Sequence, residues 1–201
     1  MKKEPIDAPA LVLVGSSGRN AGKTVAACAL IRALKGRFPI TALKVTVADK
    51  AGVCHRGKAG CGACSFSPGY ILEEESGPPP GKDTARLLAA GAARVFWLRA
   101  ARPSLAEGFR AFLEKAPPGS LVVGESNSLR EEVRPGCFIM LKNRDGVMKP
   151  SAARVADLAD ISSENDGAVT EEAAGALASR LIIGEDGAGR LTVRPTGEDH
   201  A

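Results

Sequence analysis

Residues 15–24 read Gly-Ser-Ser-Gly-Arg-Asn-Ala-Gly-Lys-Thr, a glycine-rich turn between an apolar run and a helix-forming stretch. Those residue types at that spacing suit a nucleoside triphosphate. Successive backbone N–H groups of such a turn face one point, the positive end of the next helix faces it too, and a lysine adds a full charge. Gly18, Arg19, Asn20, Ala21, Gly22, Lys23 and Thr24 are therefore the candidate phosphate-binding residues. Lys23 is expected to neutralise the β- and γ-phosphates, and the Thr24 hydroxyl to sit on Mg²⁺. The common spacing places glycine at position 17, where this chain has Ser17. Gly15 and Gly18 flank that position, so the turn is a variant of the motif.

Chemistry at a triphosphate also needs an acid, to hold Mg²⁺ or to orient an attacking group. Glu125 is the first candidate, because Leu-Val-Val-Gly-Glu (121–125) is an apolar strand that delivers a carboxylate; its alternative is a surface carboxylate capping the next turn. Asp83 is the second, and reads either as a site acid or as the cap of its helix. Asp49 is a weaker third. Asn143 ends another strand where a base could be hydrogen-bonded, with Arg144 and Asp145 beside it; the alternative is a simple turn.

A second cluster lies elsewhere. Cys54, His55, Cys61 and Cys64 occupy one short segment, and Cys-x-x-Cys is a common half-site for zinc or an iron–sulfur cluster. Neighbouring residues in an extended segment point to opposite sides, so Cys54 and His55 do not easily share one metal. A set of Cys54, Cys61 and Cys64 with His55 or an outside group as fourth ligand is the metal reading. A loop of redox-active thiols is the other. Cys28 and Cys137 fall in a helix and at a strand start, and read as small core residues.

The elements that must position these groups alternate between strand and helix patterns. Strands are expected at 11–14, 39–47, 94–98, 121–125, 138–141 and 191–193. Helices are expected at 22–34, from Asp83 to a stop at Gly91, at 104–116 with Ser104 as cap, at 151–159 and at 171–181. The segment 51–81, rich in Cys, Gly and Pro, is too long for an ordinary connection and reads as an insertion. The expected fold is α/β, a single P-loop NTPase domain over 1–201 whose mostly parallel sheet carries helices on both faces. Ligands of such sheets sit at the carboxyl ends of the strands, and Gly15, Asp49, Glu125 and Asn143 all fall there.

Composition narrows the partners. The chain has 201 residues, 44% hydrophobic and 25% charged, within the ordinary globular range. Its formal net charge of +4 suits an anionic ligand, but without a long basic run it is no nucleic-acid footprint. No apolar stretch is long enough to span a bilayer and no apolar signal segment precedes the first strand. A cytoplasmic protein with reduced or metal-bound thiols is the expectation.

Several segments together resemble the molybdopterin-guanine dinucleotide biosynthesis protein B family. They are the glycine-rich turn, Lys44-Val-Thr-Val-Ala-Asp49, and the block from Gly81 to Ala92, Gly-Lys-Asp-Thr-Ala-Arg-Leu-Leu-Ala-Ala-Gly-Ala. The resemblance covers roughly residues 10–145. It implies a dimeric GTP-binding P-loop protein with weak hydrolysis, serving molybdenum-cofactor maturation beside a partner enzyme. It carries nucleotide contacts onto Gly18 through Thr24 and a role at the phosphate end onto Asp83 and Glu125. The chain departs from the family pattern after Glu125, where it reads Ser126-Asn127-Ser128, and where the cysteine segment replaces a histidine-rich stretch. The turn is also similar to the variant loops of dethiobiotin synthase and the cobyric acid amidating synthases. Two functions follow as expectations. One is binding and slow hydrolysis of GTP or ATP, with Mg²⁺, in metal-cofactor assembly. The other is an ATP-dependent ligase or kinase of the dethiobiotin synthase type acting on a small metabolite.

Overall fold

Alternating buried strands and amphipathic helices assemble here into one mostly parallel sheet. The computed structural model describes residues 4–18, 21–48, 69–77, 79–144, 146–165 and 171–197. Arg19, Asn20, Asp49, Asp145 and the cysteine-segment set Cys54, His55, Cys61 and Cys64 lie outside them. In chain order the elements are β1 (Ile6–Ser16), α1 (Lys23–Leu34), β2 (Ile40–Ala48), β3 (Tyr70–Glu74), α2 (Asp83–Ala90), β4 (Arg94–Ala101), α3 (Leu105–Lys115) and β5 (Leu121–Glu125). They continue with β6 (Val133–Asn143), α4 (Pro150–Ala153), β7 (Ile161–Asn165), α5 (Glu171–Ser179), β8 (Leu181–Glu185) and β9 (Leu191–Pro195).

Seven strands form the main sheet in the order β3-β4-β2-β5-β1-β6-β7, and β8 and β9 form a separate antiparallel hairpin. Only β3 runs antiparallel to its neighbour in the main sheet. The central strands read as continuous apolar runs because both faces are covered. On one face Ala26, Ala27, Leu30, Ile31 and Leu34 of α1, Leu87 of α2 and Leu177 of α5 pack on Val12, Ala42 and Val123. On the other, Leu105, Phe109 and Phe112 of α3 pack on Leu13, Leu43, Phe96 and Leu98. Phe112 meets Phe96 edge-on at 5.4 Å between ring centroids, an arrangement that favours aromatic pairs.

Several elements differ from the sequence expectation. β1 starts at Ile6 rather than Leu11, because Ile6 to Ala8 pair with Val133 to Pro135 of β6 before a register shift between Ala8 and Val12. Gly136 lies at that shift: a β-carbon there would stand 2.1 Å from the Pro9 carbonyl oxygen. β3 lies within the segment read as an insertion; its run is short, with acidic residues at one end, as suits an edge strand, and it pairs only with β4. β7 and β8 were also not expected. The helix expected at 151–159 is one short turn, α4, followed by a 3₁₀ turn at Ala156–Leu158. Ser104 makes no side-chain cap bond, because a 3₁₀ turn over Arg102–Ser104 already leads the chain into α3. Gly91 ends α2 as expected, in the left-handed conformation at φ 108°.

Cys28 and Cys137 are buried, and burial pushes both thiols upward, Cys137 to about 12. They are core groups.

Candidate functional site

The carboxyl ends of β1, β2, β5 and β6 meet at the glycine-rich turn. Gly15 must be glycine, since a β-carbon would come within 2.8 Å of the Phe138 ring and 3.0 Å of Asn127 Oδ1. Ser17, just past the end of β1, stands where the common motif has glycine and is still tied to β6. Its N–H donates to the Leu141 carbonyl at 2.8 Å, and its Oγ accepts from the Asn143 N–H at 2.9 Å. The Ser16 hydroxyl donates to the Gly18 carbonyl at 3.0 Å, which turns the chain toward α1.

Gly22 takes the left-handed conformation at φ 77° and lets α1 start abruptly. The helix has no side-chain cap and no acid in its first turn. Its orphan N–H groups and positive dipole end are thus left for an external anion. Lys23, the first helical residue, folds back and donates to Ser16 Oγ at 2.7 Å. Burial, then the neighbouring Lys149 charge, brings its ammonium down to about 8.

Thr24 faces the acids. Its hydroxyl donates to Glu125 Oε2 at 2.9 Å, deep in the structure, and lies within hydrogen-bond reach of the Asp83 side chain. Lys44 Nζ bridges the two carboxylates, 2.7 Å from Asp83 Oδ2 and 2.7 Å from Glu125 Oε1. The Glu125 side chain is 1% exposed, so its charge needs these partners. Burial pulls Lys44 down, but the two carboxylates prevail and hold its ammonium above the ordinary lysine range. Burial pushes Asp83 up, but Lys44 and the Thr24 hydroxyl hold it below the ordinary range. Glu125 is no surface cap. Asp83 is not a cap either: Lys82 holds that position, and the Asp83 carboxylate is engaged by Lys44.

Asn143 sits against the glycine-rich turn. A β-carbon on Gly18 would come 2.7 Å from its Nδ2, and its Oδ1 is buried with no hydrogen-bond partner among the described residues. Three further residues belong to the site and were not singled out for it from sequence. Asn127 pairs with the Ser16 backbone. Lys44 neutralises the acids; a lone lysine inside the apolar run of β2 was the signal, since a buried cation needs a counter-acid. Lys149 reaches the turn from beyond β6, and nothing in the loop around it marks this.

The oxygen donors of Thr24, Glu125 and Asp83 suit a hard cation such as Mg²⁺. Among the described residues no group of three or more His, Cys, Asp or Glu is gathered as a metal site. No helix there is long and apolar enough to cross a membrane.

No family model matches the chain, and no curated protein matches it in sequence. Among solved structures it is similar to the "apo" form of LpxK from Aquifex aeolicus in complex with ATP, with a TM-score of 0.51 and 15% sequence identity. The match covers 85% of this chain and 53% of that one, so the chain spans about half the length of that structure. At this identity the likeness concerns the fold alone, α/β with a mostly parallel central sheet.

Proposed function

We propose that this single domain binds a nucleoside triphosphate with Mg²⁺ and hydrolyses it slowly, in the assembly of a metal cofactor of the molybdenum type. The observation that carries the nucleotide reading is the uncapped N-terminus of α1, with Lys23 and the Thr24–Glu125 pair in its first turn. The ATP held by the Aquifex aeolicus structure supports it. Gly18 through Thr24 cradle the phosphates, Asn143 flanks them, and Thr24 and Glu125 hold Mg²⁺, which supplies charge neutralisation at the terminal phosphate. Lys44 holds the Asp83 and Glu125 carboxylates in place.

The cofactor-assembly role rests on the sequence block from Gly81 to Ala92 and on the cysteine set Cys54, His55, Cys61 and Cys64, for which zinc or an iron–sulfur cluster is the proposed occupant. A homodimer and a partner protein belong to the same reading. The ATP complex of the structural neighbour favours a second reading, an ATP-dependent ligase or kinase acting on a small metabolite.

Calorimetric titration with Mg-ATP and Mg-GTP tests the nucleotide reading. Binding by the wild type and its loss in Lys23→Ala are expected; equal affinity in both proteins would refute it. Turnover separates the two functions: slow hydrolysis without a partner supports the assembly role, and metabolite-stimulated phosphate release supports the ligase or kinase.

A further inference from the structure

Lys44 stands between the two acids of the site, and the backbone puts it there. It lies on β2 across from Glu125 of β5, while Asp83 is the first residue of α2. Its Nζ donates to Glu125 Oε1 at 2.7 Å and to Asp83 Oδ2 at 2.7 Å. The other Glu125 oxygen, Oε2, accepts from the Thr24 hydroxyl at 2.9 Å. Both oxygens of the most deeply placed acid are therefore engaged within the chain itself. A divalent cation on this carboxylate would face an ammonium already bound to it. Like charges sharing one carboxylate away from water repel strongly.

Lys44 also has a position to fall back on. Side-chain exposure is 1% at Glu125, 19% at Lys44 and 33% at Asp83, so the pair with Asp83 is the outer of the two. A lysine head is a compact charge on a flexible four-carbon stem. Its second ion pair lets it leave Glu125 without stranding its charge in the interior, which is the costly event for a buried cation.

Resting on the reading of a triphosphate bound with Mg²⁺ above, we propose that Lys44 is a resident cation that makes metal binding at Glu125 conditional on the nucleotide. In the ligand-free protein Lys44 supplies the positive charge that Glu125 needs and keeps a divalent cation out. When a divalent cation enters with a triphosphate, whose negative charge offsets the added positive charge, Lys44 yields Glu125 and keeps Asp83. The site then takes metal and nucleotide together in preference to metal alone.

The test uses Mn²⁺ alone, titrated without nucleotide and followed by its electron paramagnetic resonance signal. Lys44→Met removes the charge and keeps the stem, Lys44→Gln keeps a hydrogen-bond donor should the methionine variant fail to fold, and Lys44→Arg restores a cation. A charge-assisted contact corresponds to roughly ten- to hundredfold in affinity. Mn²⁺ is expected to bind Lys44→Met or Lys44→Gln more tightly than wild type by that factor, and Lys44→Arg as weakly as wild type. Adding Glu125→Gln to the uncharged variant should abolish the gain. In thermal melting, Mg²⁺ alone should raise the midpoint of the uncharged variant and leave the wild type unmoved. A merely structural lysine would not produce tighter metal binding when removed. An uncharged variant that folds and binds Mn²⁺ no better than wild type would overturn the proposal, and so would a gain that survives Glu125→Gln. These measurements contain no nucleotide, so their failure leaves the triphosphate reading standing, and that reading falls only if the wild type binds neither Mg-ATP nor Mg-GTP.

Discussion

The amide of Asn127 grips both backbone polar groups of Ser16: Oδ1 accepts its N–H and Nδ2 donates to its carbonyl, each at 2.9 Å. One side chain thus does what a neighbouring strand would do, at the point where β1 becomes the glycine-rich turn. Asn127 is 5% exposed, so no solvent replaces it. Asn127→Ala leaves two buried backbone groups unpaired and is expected to destabilise the fold by about 2–5 kcal/mol. Asn127→Asp keeps the acceptor but sets a carboxylate oxygen against the Ser16 carbonyl, and is also destabilising. Denaturant unfolding reads both; an unchanged midpoint would contradict the clamp.

Gly15→Ala attacks the same place from the other side. The added methyl meets Phe138 and Asn127 Oδ1 at contact distances that force one of them to move. A destabilisation of about 1–3 kcal/mol is expected, with weakened triphosphate affinity because the turn is displaced. Gly36→Ala, where a β-carbon meets nothing within 4 Å, is the matched control.

Lys23 titrates near 8 in the free protein, and a bound triphosphate pulls it back toward full protonation. Above pH 8, binding should therefore take up a proton. Calorimetry at pH 8.5 in two buffers of different ionisation enthalpy should give different apparent enthalpies; equal enthalpies would contradict the lowered value for Lys23. The sign for stability follows from the same shift. Between pH 8 and the ordinary lysine value of 10.5 the unfolded chain binds more protons, so this group makes the free protein more stable as pH rises through that window.

Lys44 behaves in the opposite sense, and Asp83 in the same sense at acid pH. Asp83 is held below its ordinary value of 3.8, so its contribution is complete above that pH and disappears as the pH falls further. Lys44 is held above 10.5, so its contribution is complete below that pH and is lost as the pH rises through its shifted value. Lys44→Met leaves two carboxylates facing each other and should reduce stability at neutral pH, with the additional Asp83→Asn change recovering part of it. Unfolding midpoints across pH 3 to 11 check the series. A Lys44→Met protein as stable as wild type at pH 7 would remove the bridge from the argument.

The glycine-rich turn and the acid at 125 were legible because each is local: a strand pattern followed by residues with one chemistry. The α/β fold was legible because buried parallel strands are long apolar runs and helices keep their period. What escaped the sequence depends on pairing between distant segments. Lys44 read as one lysine within a strand until the pairing of β2 with β5 set it against Glu125. Asn127 clamps Ser16 through an amide that substitutes for a strand, and such an amide has no sequence pattern of its own. β3 and β7 are short edge strands whose existence depends on β4 and β6. Lys149 is brought to the turn by a hydrogen bond from its N–H to the carbonyl of Ser17, a partner more than a hundred residues earlier in the chain.

Glu125 ends β5, the fourth of the seven strands and the one between β1 and β2. Amide hydrogens in so central a strand exchange only when much of the sheet opens. The carboxylate is therefore anchored to a part of the molecule that does not adapt on the time scale of ligand exchange. Tolerance for different ligands must come from the periphery: from the stretch carrying Asn143 and Lys149 on one side, and from the strands beyond β2 on the other. A chain descended from this one would change its ligand by rewriting those rims, with its centre left intact.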